Sequence, residues 1–342
     1  MNKIMDKILL THGSGGRLTH ELINGIFRKK FDNEILNSLD DSAVLQLPWL
    51  TDHSRICFTT DSYVVKPIFF PGGDIGKLSV CGTINDLAVM GAKPLFISCG
   101  VIIEEGFSIN DLEKIVSSMK NTVDEAGVKI VTGDTKVVEK GSCDRIFINT
   151  AGIGIIKQNP DMSMNKIVPG DKVIINGTIG DHGITILQAR EQFHFKTKIA
   201  SDCAPLNHLI HKIITTGAKI KFMRDPTRGG LATTLNEITE GKNIGIVLEE
   251  KKIPVRNNVR SICELLGFDP LYIPNEGKVV VIVDKNDANE VIKVMKNDAL
   301  GEQSQVIGEV IPSARGKVIL STVSGGTRIV DMLVGDQLPR IC

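Results

Sequence analysis

The sequence predicts an α+β fold divided into two domains, and three observations point to it. The chain has 342 residues, more than one domain usually contains. Segments with helical spacing alternate with segments rich in β-branched residues in both halves. A stretch rich in Pro, Gly, Asn and Asp at 158–171 separates the halves. We therefore expect an N-terminal domain over 1–157, a C-terminal domain over 158–335 and a mobile tail over 336–342.

The first half contains clear signals for individual elements. GRLTHELINGIFRKKF, at 16–31, has apolar residues at helical spacing, and RICFTTDSYVV, at 55–65, alternates like a strand. Asp74 is suited to cap a helix of small residues that stops at Gly91 and leads into the strand LFISCGVII. A second helix is predicted over 108–126, between Ser108 as N-cap and Gly127 as stop. The strands VKIVTGD and IFINTAGIGII follow it, and the second half repeats this mixture of elements.

Composition and charge exclude several classes of function. The 40 basic residues balance 40 acidic ones, so we expect neither nucleic acid nor an anionic membrane as a partner. No apolar run approaches the ~18 residues of a membrane span, and the N-terminus has no signal-peptide pattern, which predicts a cytoplasmic protein. The seven cysteines form no C-x-x-C pair, so we expect reduced, mostly buried thiols rather than disulfides or a zinc site.

Four aspartates stand beside small or hydroxyl residues, in DDSAV (40–44), TTDS (59–62), NDLA (85–88) and TGDT (132–135). Carboxylate oxygens are the ligands that Mg²⁺ prefers, and Mg²⁺ leaves positions for water and phosphate oxygens. If these segments converge on one cleft, they predict a site for a magnesium nucleotide. The alternative is that each aspartate is a helix cap or a turn residue.

Two glycine-rich motifs are each compatible with more than one role. HGSGG, at 12–16, could present N–H groups to phosphate, but it lacks the residues of a P-loop. RDPTRGG, at 224–230, combines two arginines with two glycines before a helix, so it is either an anion site or a helix entry.

The sequence ends in DQLPRIC, at 336–342, a polar segment with a cysteine in its last position. With no predicted element after it, the Cys342 thiol is expected to be accessible and mobile, whereas Cys81 and Cys99 lie in apolar surroundings typical of core cysteines. Such a thiol is suited to carry a reacting group.

DDSAV, TTDS, GTINDLAVMGAKP, VTGDT and DPTRGGL together resemble the ATP-binding superfamily of aminoimidazole ribonucleotide synthetase, across nearly the whole chain. The resemblance implies a two-domain PurM-like fold. Its N-terminal domain would have a mixed sheet whose strands complete a β-barrel in a homodimer, and its C-terminal domain would be α+β.

Within that superfamily, HGSGGR, TGDTKVV, NEGK and the final PRIC resemble the HypE family of hydrogenase maturation factors. The resemblance implies that Cys342 receives a carbamoyl group from the transferase HypF. ATP-dependent dehydration would then give a thiocyanate, whose cyanide goes to the iron of a [NiFe] hydrogenase on a HypC–HypD scaffold.

The same resemblance assigns site residues. As ligands of Mg²⁺ it implies Asp41, Asp61, Asp86 and Asp134. The ATP site would add Asn85, Thr135, Arg228 and Gly229 to these aspartates. Beside the modified Cys342, Lys136 and Glu276 are the candidates for the base that removes N–H protons.

Two alternatives remain at this point. A sister enzyme, such as selenophosphate synthetase, thiamine-monophosphate kinase or aminoimidazole ribonucleotide synthetase, would leave the cysteine at 342 without a task. A non-enzymatic thiol carrier would leave the four aspartates without one. Turnover of ATP separates an enzyme from a carrier.

Overall fold

The computed structural model describes residues 7–47, 54–157, 162–190, 198–335, 338 and 340–342. Residues 158–161 of the expected junction lie outside this range, so the domain boundary stays a prediction.

The helices are α1 (Arg17–Leu22), α2 (Arg28–Phe31), α3 (Ile75–Val89), α4 (Ile109–Ala126), α5 (Asp181–Ala189), α6 (Asn207–Thr215), α7 (Gly230–Thr239), α8 (Asn257–Leu266) and α9 (Ala288–Lys296). The strands are β1 (Ala43–Leu45), β2 (Arg55–Tyr63), β3 (Phe69–Phe70), β4 (Gly73–Asp74), β5 (Lys93–Glu104), β6 (Lys129–Val138), β7 (Ile146–Ile156), β8 (Lys172–Ile175), β9 (Ile220–Arg224), β10 (Gly245–Glu249), β11 (Val280–Val283), β12 (Gln305–Ile311), β13 (Val318–Ser321) and β14 (Thr327–Val330).

The N-terminal domain is a mixed sheet covered by helices on one face. Its strand order is β1-β2-β7-β5-β6, and all pairs are antiparallel except β5 with β6. Strand β7 alternates strictly, with Ile146 and Ile148 buried and Asn149 and Ile153 exposed. Because successive side chains point to opposite faces, one face packs under α3 and α4 while the other faces outward.

The capping residues define the helices of this domain as predicted. The Asp74 carboxylate accepts hydrogen bonds from the N–H groups of Gly76 and Lys77, which begins α3. At α4, the Ser108 hydroxyl accepts from the N–H of Asp111, and Gly127 ends the helix in the left-handed conformation, with φ of 69°. Strand β7 has the predicted bounds, and the other predicted strands differ by a few residues at their ends.

The first helical segment differs from the expectation of a regular helix. Between α1 and α2 the chain forms a π-helical turn, Ile23–Phe27. Its apolar residues are not buried in this chain, since Ile26 is 51% exposed and Phe27 is 48% exposed. The apolar side of this helical segment therefore does not pack against the core formed by the described residues of the same chain.

The C-terminal domain is built on a larger sheet, with the strand order β14-β13-β10-β12-β8-β11-β9. Its pairs are antiparallel except β10 with β13. Strand β11 is buried along its whole length, because α6 and α9 pack on one face and α7 on the other. None of the helices in the described ranges combines the length and apolar character that crossing a bilayer requires.

Buried polar contacts join the two domains. The Asn85 amide on α3 donates to the backbone oxygens of Ala204 and Glu276, and its Oδ1 accepts from the N–H of Leu206. Asn85 is only 1% exposed, so each of these bonds replaces one to water. This side chain thus holds α3 against the segment that carries Glu276.

We predict that Gly82→Ala destabilises the N-terminal domain. A Cβ at position 82 on α3 would stand 2.2 Å from the Tyr63 hydroxyl, and a rigid buried ring cannot move aside. The expected loss is about 1–3 kcal/mol in the free energy of unfolding, measured by urea denaturation. Tyr63→Phe removes the oxygen and should recover part of the loss in the double variant.

Gly25→Ala is the matched control, because no described atom beyond the neighbouring backbone lies within 4 Å of its added Cβ. It should not destabilise the protein, and it should stabilise it by at most about 1 kcal/mol because alanine favours helical turns over glycine. Equal effects of the two alanines would contradict the packing argument.

Candidate functional site

Aspartates from separate segments converge between the domains. Alternation in β2 directs Thr59, Asp61 and Tyr63 to the face that α3 covers. The Thr59 hydroxyl lies 2.9 Å from Oδ2 of Asp86, near the end of α3, and 3.1 Å from the backbone oxygen of Asp41. Three of the four predicted ligands, Asp41, Asp61 and Asp86, therefore line one wall.

The C-terminal domain supplies the positive charge that faces Asp41. Arg224, at the end of β9, lies 2.9 Å from Asp41 and 2.7 Å from Glu237, and donates to the backbone oxygen of Leu39. Burial alone would lower the pKa of Arg224, but the two carboxylates raise it above its ordinary value. This ion pair closes one side of the cluster.

Asp225 is a cluster member that sequence reasoning missed. Burial, and then the charge of Asp41, raise the pKa of Asp225 to about 8. Burial also raises the pKa of Asp86 well above its ordinary value, with added repulsion from Asp225, Asp41 and Asp61. The motif RDPTRGG contains this aspartate between two arginines, and an acidic residue at the entry to a helix is the signal that could have identified it.

The cluster has the chemistry of an open cation site. Buried carboxylates that repel one another gain stability from a nearby divalent cation. In the described ranges no three His, Cys, Asp or Glu residues come close enough to hold an ion by themselves. Magnesium commonly takes one or two carboxylates and completes its shell with water and phosphate oxygens, so these residues fit Mg²⁺ with a nucleotide.

The chain does not bring Asp134 to this cluster. Asp61 on β2 aligns through Thr150 and Cys99 with Gly133 on β6, which is three strand spacings, or about 14 Å. Asp134 is next to Gly133 and on the opposite face, where its carboxylate pairs with Lys136 at 2.8 Å. One ion cannot bind all four predicted aspartates of a single chain.

Thr135 and Lys136 share this exposed edge strand. Strand β6 is exposed along nearly all of its length, and the side chains of Asp134 and Lys136 are each 67% exposed. The hydrogen bond from Lys136 lowers the pKa of Asp134. Their predicted roles stay predictions that need a second chain to bring β6 to the cleft.

Glu276 is buried where Asn85 joins the two domains, and it is 3% exposed. Its backbone N–H donates to Asp202, which is ion-paired with Lys278 at 2.9 Å, while its own Oε1 has no hydrogen-bond partner among the described residues. Burial raises the pKa of Glu276 well above its ordinary value. A buried carboxyl group without a partner for this oxygen is suited to exchange protons with a substrate.

Arg228 and Gly229 form the start of α7. Gly229 has φ of +77°, and a Cβ there would stand 2.2 Å from the Thr233 hydroxyl oxygen, so the turn requires glycine. Arg228 donates to the backbone oxygen of Gly13 and faces the cleft. The negative charge of Cys342 is the largest of the influences that raise the pKa of Arg228, and Asp61 and Glu276 add to it.

The described tail residues lie in the cleft. The backbone N–H of Val64 donates to the main-chain oxygen of Cys342 at 3.0 Å, and that of Lys66 to Arg340 at 3.1 Å. Cys342 and Arg228 line the same cavity, of about 160 Å³. Asp336, Gln337 and Pro339 lie outside the described residues.

Four of the other six cysteines have the surroundings expected of core thiols. All seven are free, and Cys57, Cys81, Cys203 and Cys263 are buried. Cys99 is only partly buried, in contrast to the core position expected for it. Burial raises the pKa of Cys57 to about 11, which keeps it a thiol at neutral pH.

The family comparisons agree with this architecture. Residues 39–156 match the N-terminal domain of AIR synthase related proteins, and residues 168–321 match their C-terminal domain. A thiamine monophosphate kinase structure from Aquifex aeolicus shares the fold at 16% identity, with a TM-score of 0.63 over 91% of this chain and 99% of that one. The fold and the paired domains define a two-domain AIR synthase related protein, as predicted.

More similar proteins narrow the assignment. The carbamoyl dehydratase HypE of Cupriavidus necator is 48% identical over 98% of this chain and 95% of its own length. A crystal structure of HypE in complex with ATP has a TM-score of 0.81 at 47% identity, covering 98% of this chain and 100% of that one. A crystal structure of a HypE–HypF complex has a TM-score of 0.85 at 51% identity, covering 91% and 99%. The chain belongs to the HypE carbamoyl dehydratase family.

We predict that Asp225→Asn stabilises the protein at alkaline pH in the absence of ligand. An ordinary aspartate has a pKa near 3.8 and Asp225 one of about 8, so the folded state binds the extra proton between these values. Stability should therefore fall as pH rises from about 4 to 8, and the substitution should remove this loss. The gain at pH 8.5 is expected to be on the order of a few kcal/mol by urea denaturation.

The control is Asp124→Asn, since the Asp124 side chain is 60% exposed. Its stability curve should run parallel to that of the wild type between pH 5 and 8.5. A parallel curve for Asp225→Asn as well would mean that Asp225 titrates normally.

Proposed function

We propose that this protein dehydrates an S-carbamoyl group on Cys342 to a thiocyanate with ATP, which supplies the cyanide ligand of a [NiFe]-hydrogenase iron. The observation that carries the proposal is the position of Cys342 beside Arg228 in one cavity, with Asp61 and Glu276 close enough for their charges to act on the same arginine. Membership of the family supports the same reaction. A thiol carrier without enzymatic activity would need none of these carboxylates.

The reaction balances without an external oxidant or reductant. The amide oxygen forms a bond to the γ-phosphorus as the bond to ADP breaks, and one N–H proton leaves. The carbon–oxygen bond then breaks as the second N–H proton is removed, which leaves S–C≡N and phosphate. MgATP supplies the phosphoryl group and the positive charge that offsets its negative oxygens.

Within this scheme, Glu276 is the residue that accepts an N–H proton. Its buried position makes it a stronger base than an exposed carboxylate once it is ionised. Arg228 faces the negative charge of Cys342 and would stabilise negative charge that develops during the reaction. One or two of the carboxylates of Asp41, Asp61, Asp86 and Asp225 would hold Mg²⁺, with water and phosphate oxygens completing its shell. Asn85 and Gly229 would shape the wall around the nucleotide.

The partners follow from the same scheme. HypF would carbamoylate Cys342, and a HypC–HypD complex would accept the cyanide, so the tail must leave the cleft between steps. A HypE–HypF crystal structure of a 51% identical relative supports the first interaction. The use of ATP is consistent with a cytoplasmic reaction.

A homodimer is the arrangement we propose for the N-terminal domains. The outer face of their sheet exposes apolar side chains on several strands, among them Phe58, Phe96, Ile102 and Ile153. A continuous apolar face of this kind typically marks an interface. Dimerisation would cover it and could bring Asp134, Thr135 and Lys136 of one chain toward the cleft of the other, where Lys136 would assist Glu276.

The proposed reaction is tested by intact mass after incubation with a carbamoyltransferase, its carbamoyl donor and MgATP. We expect Cys342 to gain a carbamoyl group minus one water, and Cys342→Ala to gain nothing. Cys143→Ala, which removes a partly exposed thiol elsewhere, should behave like the wild type. Glu276→Gln should stop at the carbamoyl stage, because the amide cannot accept the proton.

Two outcomes would contradict the proposal. One is a wild-type adduct that remains carbamoyl despite ATP. The other is ATP turnover that continues at the wild-type rate in Cys342→Ala with another small acceptor, which would indicate a sister enzyme.

The dimer is tested by light scattering after gel filtration. The wild type should have twice the 37.2 kDa of one chain, and Ile153→Asp should be largely monomeric because it places a charge on the apolar face. Val323→Asp is the control, since Val323 is 74% exposed in the C-terminal domain. A monomeric wild type, or a dimeric Ile153→Asp with native circular dichroism, would refute this interface.

A further inference from the structure

A buried histidine of the C-terminal domain contacts the tail directly. His182, on α5, is fully buried, and its Nε2 lies 2.9 Å from the backbone oxygen of Ile341. Its Nδ1 lies 2.8 Å from the Ser201 hydroxyl oxygen. Phe70 packs edge-on against the ring, with centroids 5.6 Å apart. The ring is therefore held on several sides before the tail arrives.

The partners define the protonation of this ring. A carbonyl oxygen can only accept, so Nε2 carries the hydrogen and donates it to Ile341. Nδ1 then accepts from the Ser201 hydroxyl, and burial lowers the pKa of His182, which favours this neutral form. Ser201 thus fixes the tautomer that can bind the tail.

The hydrogen bond between His182 and Ile341 lies in the middle of the docked tail. On one side, the guanidinium of Arg340 donates to the Val64 backbone oxygen and pairs with Asp144. On the other side, the N–H of Val64 donates to Cys342. Ile341 is 3% exposed, so without His182 its carbonyl would be a buried acceptor in need of a partner.

The segment that orients His182 also supports Glu276. Next to Ser201, Asp202 accepts the N–H of Glu276 at 3.3 Å and pairs with Lys278. Packing here is tight, because a Cβ on Gly277 would stand 1.8 Å from the backbone oxygen of Asp202. The tail contact and the candidate base therefore rest on adjacent residues of one chain segment.

We propose that His182 is a positioning residue that holds the tail in the cleft through the Ile341 carbonyl and so presents Cys342 to Glu276. This inference rests on the proposed function for its catalytic consequence, whereas the docking itself can be measured without ATP or partner proteins. His182 acts on the tail through the backbone oxygen of Ile341.

The first test is the rate at which a maleimide modifies Cys342 in the full chain without ligands, followed by peptide mapping. His182→Met keeps the approximate size but removes the donor, and it should speed modification by about threefold to tenfold, as expected from loss of one hydrogen bond. His182→Gln keeps an N–H donor at a similar reach and should restore most of the protection. Ser201→Ala, a smaller change, should give an intermediate rate.

His208→Met is the matched control. The Nε2 of His208 also lies 2.9 Å from a backbone oxygen, that of Glu125, but this residue is exposed and joins α6 to α4. The control should leave Cys342 as protected as in the wild type. A rate for His182→Met equal to the wild-type rate, or equal rates for the Met and Gln variants, would overturn the inference. If His182→Met does not fold, an unchanged rate in Ser201→Ala would overturn it.

The second readout separates this inference from the proposed function. With carbamoylated protein and saturating ATP, His182→Met should lower the rate of thiocyanate formation while leaving the Kd for ATP unchanged, and His182→Gln should recover the rate. If no variant, including the wild type, forms thiocyanate, the proposed function fails, while the maleimide rates still decide whether His182 holds the tail.

Discussion

The constraint on which the structure depends is the burial of carboxylates where the two domains meet. Asp86 comes from the N-terminal domain and Asp225 from the C-terminal domain, so the repulsion between them exists only in the folded chain. Arg224 offsets part of it by pairing with Asp41. Removing several charged groups from water is costly, and a sequence selected for stability alone would replace them with apolar residues. In the proposed function, a bound Mg²⁺ would supply the positive charge that this cluster lacks.

The tail is held in the cleft by a different kind of interaction. Val64 and Lys66 hold the tail through backbone hydrogen bonds, as a sheet holds an added strand. These bonds fix the register of the tail and do not depend on its side chains. The side-chain contacts of Arg340 and the ring of His182 then add anchoring on either side of Ile341. Each bond is modest in free energy, because water competes for the same groups. A set of modest bonds suits the proposed cycle, in which this segment would bind in the cleft and leave it again.

The N-terminal sheet serves the site on one face and exposes an apolar surface on the other. Thr59 and Asp61 point toward α3, while Phe58 on the same strand points outward. The two-residue period of a strand makes this division unavoidable. It also explains why Asp61 and Asp134 do not meet in one chain, although the strand register places them at nearly the same level along the strands of one sheet.

The sequence by itself determined the α+β class and the approximate bounds of several elements in the first half, because capping and alternation are local: Asp74, Ser108 and Gly127 act on their own helices. Short motifs indicated the family. The sequence also identified Asp41 and Glu276 as site candidates through short motifs. Only the tertiary structure decided which candidates meet, since strand order and domain packing join residues far apart in the chain. In the folded chain, Asp134 lies away from the cluster and Asp225 lies in it. Asn85 joins the two domains, and His182 contacts the tail. Those outcomes depend on which faces two domains bury against each other, and that packing is not encoded in any local pattern.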